Sequence, residues 1–86
     1  MKSDPRPSWV SEYRRDVGER VRTARRDANL SQEALAHSAG VSRKTISRVE
    51  LGEHATRLDH LLLIASVLQL PPGQLLPDRP PPPPAF

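Results

Sequence analysis

Eighty-six residues hold one domain near the lower size limit for a self-sufficient core, and the absence of cysteine excludes disulfides and thiolate metal sites. A formal charge of +3 and a pI of about 10.2 make the chain mildly basic, which suits an anionic partner without selecting one. No apolar run approaches the ~18 residues of a membrane span, and MKSDPRPSW lacks the apolar stretch of a signal peptide, so the reducing cytoplasm is the expected location and no membrane partner is expected.

Residues 1–7 carry Pro5 and Pro7 and are expected to form a disordered N-terminus. A helical period starts at about Ser8: Trp9, Val10, Tyr13, Val17, Val21, Ala24 and Ala28 recur at spacings of three and four. Ser8 or Ser11 is the candidate cap. Trp9 and Tyr13 are either a hydrophobic lid on the domain or a partner contact. Residues 14–26 gather Arg14, Arg15, Arg20, Arg22, Arg25 and Arg26 against Asp16 and Glu19, a solvated helix face or an anion-facing one. Asn29 tolerates the left-handed conformation and is expected to close this helix.

Ser31 is expected to cap a second helix, with Leu30 and Leu35 as its hydrophobic staple. Gly40 stops it by turning left-handed. Ser42 caps a third helix, over about 42–51, with Val41 and Ile46 as staple. Leu35, Ala36, Ala39, Val41, Ile46 and Val49 fall on inward positions, which leaves Arg43, Lys44, Thr45, Ser47 and Arg48 pointing out. Arg and Lys can donate to guanine O6 and N7, and Ser or Thr to base edges or phosphates, so this face suits a DNA major groove.

Gly52 is expected to end the third helix, and GEHAT to form a loop with Thr56 capping a fourth helix that runs to about Leu68. The fourth helix is apolar nearly all round, and Leu63 looks surplus to the core. Pro71 and Pro72 end it, and a short fifth helix is expected over about Pro72–Leu76. The tail DRPPPPPAF is expected to be disordered or polyproline II. The expected fold is all-α with five helices and no strand: a disordered stretch 1–7, one domain 8–77 and a proline-rich tail 78–86.

The segments LSQEALA, AGVS, TISRVELG and LLLIASVL resemble successive signatures of the Cro and phage-repressor type of helix-turn-helix, the XRE family, from about Val17 to Leu76. The resemblance implies a repressor-like domain with its helix-turn-helix at helices 2 and 3, binding double-stranded DNA to regulate transcription in the bacterial cytoplasm, on the nucleoid. It implies base contacts from Arg43, Lys44 and Arg48, with Ser47 beside them, and phosphate contacts from Gln32, Ser42, Thr45, Thr56 and Arg57; Thr45 and Ser47 could each face bases or phosphate. It also implies an ion pair between Arg25 and Glu50, which would hold helix 3 against helix 1. A palindromic site calls for a homodimer, expected at Gln69, Leu70, Pro71, Pro72 and Gly73 with Leu63 added. Two other functions remain open: an antitoxin-like module meeting a protein partner through the extended helix 1, Leu63 or the tail, and a nucleoid-type protein with little sequence preference. His37, His54 and His60 lack ligand spacing, and no nucleophile or paired-carboxylate pattern appears, so no metal, cofactor or catalysis is expected.

Overall fold

In the computed structural model, which describes residues 7–84, four α-helices are joined by short connections: Ser8–Asp27 (α1), Gln32–Ala39 (α2), Arg43–Leu51 (α3) and Leu58–Leu68 (α4). A 3₁₀ turn, Pro72–Leu75, stands where a fifth helix was expected. It has i→i+3 bonds, Gln74 N–H to Pro71 O at 2.9 Å and Leu76 N–H to Gly73 O at 3.2 Å. Pro71 and Pro72 bring no N–H and Pro77 follows, so the segment cannot lengthen into an α-helix. The expectation for residues 1–7 lies outside the described residues except at Pro7, as do Ala85 and Phe86 of the tail.

The helix ends follow local chemistry at the centre of the chain. Ser31 and Ser42 lie in extended backbone, and each side chain accepts one N–H of the first turn, from Ala34 and Thr45, both at 3.0 Å. Gly40 and Gly52 close α2 and α3 at φ 73° and 69°, a left-handed conformation that costs glycine least. Asn29 does the same work after α1 at φ 58°. Two expected caps are corrected. Pro7, with no side-chain bond, precedes α1, and Ser11 Oγ instead accepts from Arg14 Nη2 at 3.3 Å. Arg57, not Thr56, occupies the cap position of α4 and caps nothing with its side chain. At its far end α4 turns off at Gln69, φ 57°, two residues before the first proline.

Each segment supplies one of the five largest fully buried side chains to a single core: Val21, Leu35, Ile46, Ile64 and Leu75. Truncating any of the large ones to alanine would cost about 2–5 kcal/mol. Leu75 is 1% exposed, so the 3₁₀ turn is part of the core's wall. The surplus apolar face of α4 is larger than Leu63 alone: Leu58, Leu62 and Leu63 are all exposed.

The root of the tail is tied down. The Arg79 guanidinium stacks 4.6 Å over the Tyr13 ring and donates to Asp16 Oδ2 at 2.9 Å, while the Tyr13 hydroxyl donates to the Arg79 carbonyl. Trp9 packs edge-on to Tyr13, centroids 5.5 Å apart. Hydrogen bonds from Arg79 and then Arg20 hold the Asp16 carboxyl below the usual aspartate range.

Candidate nucleic-acid interface

The inward face of α3 is locked before its outward face is offered. Glu50 is 3% exposed, and a buried carboxylate is tolerable only with partners. Arg25 Nε donates to Glu50 Oε2 at 2.6 Å and Arg25 Nη2 to Glu50 Oε1 at 3.0 Å, a two-pronged contact from α1. Arg22 Nε stands 3.8 Å from the same Oε1. The remaining Arg25 nitrogen, Nη1, donates to the Leu30 carbonyl at 2.9 Å and so ties the α1–α2 connection to the pair. The Glu50 hydrogen bonds raise the Arg25 pKa above arginine's ordinary value although burial opposes them.

Gln32 joins this network. Its side-chain amide donates to Glu50 Oε1 at 3.0 Å, so the first residue of α2 is bound to the last turn of α3. One of its two amide hydrogens is left over. α1 crosses the end of α3 at Gly18, where even a Cβ would lie 2.5 Å from the Val49 carbonyl oxygen and closer still to that of Glu50. Nothing in sequence spacing links Gln32 or Gly18 to Glu50, although a lone glycine between Val17 and Val21 is the kind of interruption that marks a close approach.

With Ile46, Val49 and Glu50 buried, α3 leaves Arg43, Lys44 and Arg48 exposed and Thr45 and Ser47 half-buried. Among the described residues none of these three cations is held in an ion pair. Arg43 and Lys44 follow directly on the Ser42 cap, and the Ser42 and Thr45 hydroxyls lie 2.9 Å apart, joined by a hydrogen bond that either can donate. Thr56 is half-buried and Arg57 exposed in the α3–α4 connection, facing the same side. Of the residues expected at a dimer contact, Leu63, Gln69, Pro71, Pro72 and Gly73 are exposed, whereas Leu70 is half-buried against the core. No group of three or more His, Asp or Glu side chains among the described residues could hold a metal ion, and no helix there is long and apolar enough to cross a membrane.

The helix-turn-helix family matches the sequence over residues 21–75. Among solved structures, the restriction-modification controller protein C.AhdI from Aeromonas hydrophila is 30% identical, with a TM-score of 0.71 over 81% of this chain and 100% of that one. The P22 c2 repressor, solved in complex with a synthetic operator, is 37% identical, with a TM-score of 0.65 over 70% of this chain and 91% of that one. The DNA-binding domain of BldD is 25% identical, with a TM-score of 0.70 over 78% and 97%. No curated protein matches the chain.

Proposed function

The chain belongs to the XRE-type helix-turn-helix family of DNA-binding transcription regulators, and from that premise we propose that it is sequence-specific, with α3 reading the major groove as part of a homodimer on a palindromic operator. The observation that carries this reading is the division of α3 into a clamped face and a free one. Glu50, held by Arg25 and Gln32, sets the angle of the helix, and Arg43, Lys44 and Arg48 project from it unpaired. Presented rigidly, an Arg or Lys at a base edge contributes about 1–3 kcal/mol of discrimination.

In this reading Arg43, Lys44 and Arg48 contact bases, with Ser47 beside them. Ser42, Thr45, Thr56 and Arg57 meet phosphates, and Gln32 bridges a phosphate to Glu50 with its spare amide hydrogen. Two copies would meet through Leu63 and the α4–3₁₀ connection from Gln69 to Gly73, and Leu63 at 43% exposure has apolar surface to bury there. The protein would act in the bacterial cytoplasm on the nucleoid. Selection of bound duplexes from random DNA tests the reading. A palindromic consensus bound by two chains supports it; no consensus would leave a nucleoid-type protein, and one chain per full operator would remove the dimer.

A second reading, an antitoxin-like module that also binds DNA, is favoured by one feature. Trp9, Tyr13, Val17, Leu61 and Leu76 line an apolar cleft of about 250 Å³ between the front of α1 and α4, beside the root of the proline-rich tail. A stoichiometric partner that copurifies, and is lost on Trp9→Ala, would favour it.

A further inference from the structure

Beside the reading helix lies a second cleft, of about 220 Å³, with α3 as one wall and the α3–α4 connection and start of α4 as the other. Thr45 and Arg48 line it from α3, His54, Thr56 and Arg57 from the connection, and His60 from α4. Every ionisable group lining it is basic. Glu53 and Asp59, the acidic sequence neighbours of the two histidines, do not line it and are exposed. His37 lies on α2, outside the cleft.

Resting on the DNA-reading proposal above, we propose that this cleft seats a phosphodiester of the strand bordering the groove, with His54 and His60 as ligands that hold it in their protonated form. If α3 lies in the major groove, the sugar-phosphate strand must run along its side, where this cleft opens. A neutral imidazole offers one N–H and no charge; the imidazolium offers two and a full positive charge beside Arg48 and Arg57. Without an anion, four cations in one cleft repel; with a phosphate between them, they are each stabilised. DNA binding therefore takes up protons, and by linkage affinity rises as pH falls.

The test is binding of the full chain to the selected duplex, and to a random duplex of the same length, at pH 7.5 and 5.5 over a salt series. The expected result is binding tighter by about tenfold at pH 5.5, for both duplexes, with the salt slope steeper there by no more than about 0.9, because the cleft holds one phosphodiester. His54→Gln should remove part of the response and His54→Gln/His60→Gln nearly all of it, while His37→Gln leaves it intact. Because His60 is half-buried, helicity by circular dichroism accompanies each variant, and His54→Gln alone suffices if the double variant does not fold. His54→Arg should recover at pH 7.5 about the share of the gain that His54→Gln removes. An affinity independent of pH, or a response that survives in His54→Gln undiminished, overturns the inference while leaving sequence-specific reading in place. A response on both duplexes with no sequence preference overturns the specific reading alone, and failure to bind any DNA overturns both.

Discussion

Replacing Gly18 by alanine sets two effects against each other. Helix propensity alone makes Gly18→Ala stabilising by about 1 kcal/mol, because position 18 is in the middle of α1. The packing says otherwise. The added Cβ would be 2.5 Å from the Val49 carbonyl oxygen, where ordinary contact is 3.4–4 Å, so α1 and α3 would have to part by about an ångström. The opposing atoms are backbone carbonyls and cannot rotate aside as a side chain would. Overpacking of this kind costs about 1–3 kcal/mol, and the rigid neighbours argue for the upper end. The net expectation is destabilisation by about 1–2 kcal/mol, a fall in Tm of roughly 4–16 °C for a domain of this size. Urea unfolding followed by circular dichroism measures it. Gly73→Ala, where a Cβ would meet nothing within 4 Å, is the control and should stay within about 0.5 kcal/mol of the natural chain. A Gly18→Ala chain as stable as the natural one would mean that the two helices do not cross this closely, and the account of how α3 is held would fail.

Arg25→Met should cost toward the lower end of about 3–5 kcal/mol in the same assay, because the buried Glu50 charge keeps only Gln32 and the more distant Arg22, and Arg25→Met/Glu50→Leu should recover much of that loss; a cost under about 1 kcal/mol for Arg25→Met would mean that the pair behaves as an exposed one. Gln32→Ala should weaken all DNA sites about equally with little change in salt slope, whereas Arg57→Ala should lower the slope by about one, as filter binding over a salt series would reveal. Asp16 has a depressed carboxyl pKa in the folded chain, so its contact with Arg79 is fully present above the unfolded aspartate value of about 3.9 and is lost as pH falls through the lower folded value. The Arg79 guanidinium NMR signals should therefore lose the contribution of the Asp16 contact in strong acid, and in Asp16→Asn already at neutral pH, while the contribution of the Tyr13 ring persists in Asp16→Asn.

What could be read in the chain was what depends on near neighbours. Ser31, Gly40, Ser42 and Gly52 act within one turn of themselves, and each has the side chain, or lack of one, that its backbone position requires. The all-helical fold follows from apolar spacing, with the fifth helix overdrawn because three prolines in seven residues allow only a 3₁₀ turn. Thr56 misleads because the start of α4 is decided by tertiary packing, which brings Ile64 and Ala65 onto the core and leaves Arg57 at the extended position. In the candidate interface, the outward set on α3 is periodic and legible. Gln32 is legible as a candidate phosphate contact but not as a partner of Glu50, since that bond spans 18 residues of chain. Arg79 reaches back 63 residues to Asp16, and no period or cap precedes it in a proline-rich tail. His54 and His60, six apart, show no spacing, and only the fold of the connection puts both beside α3.

The claim at the centre is that α3 reads bases while the residues around it grip the backbone. The most direct measurement is the affinity of Arg43→Ala and Lys44→Ala for the selected operator and for each of its single-base variants. The account predicts a loss of about 1–3 kcal/mol on the operator for each substitution, with discrimination relaxed at one base pair and retained at the others. If both substitutions instead weaken every sequence by the same factor, α3 is touching phosphate alone and is not the reading element.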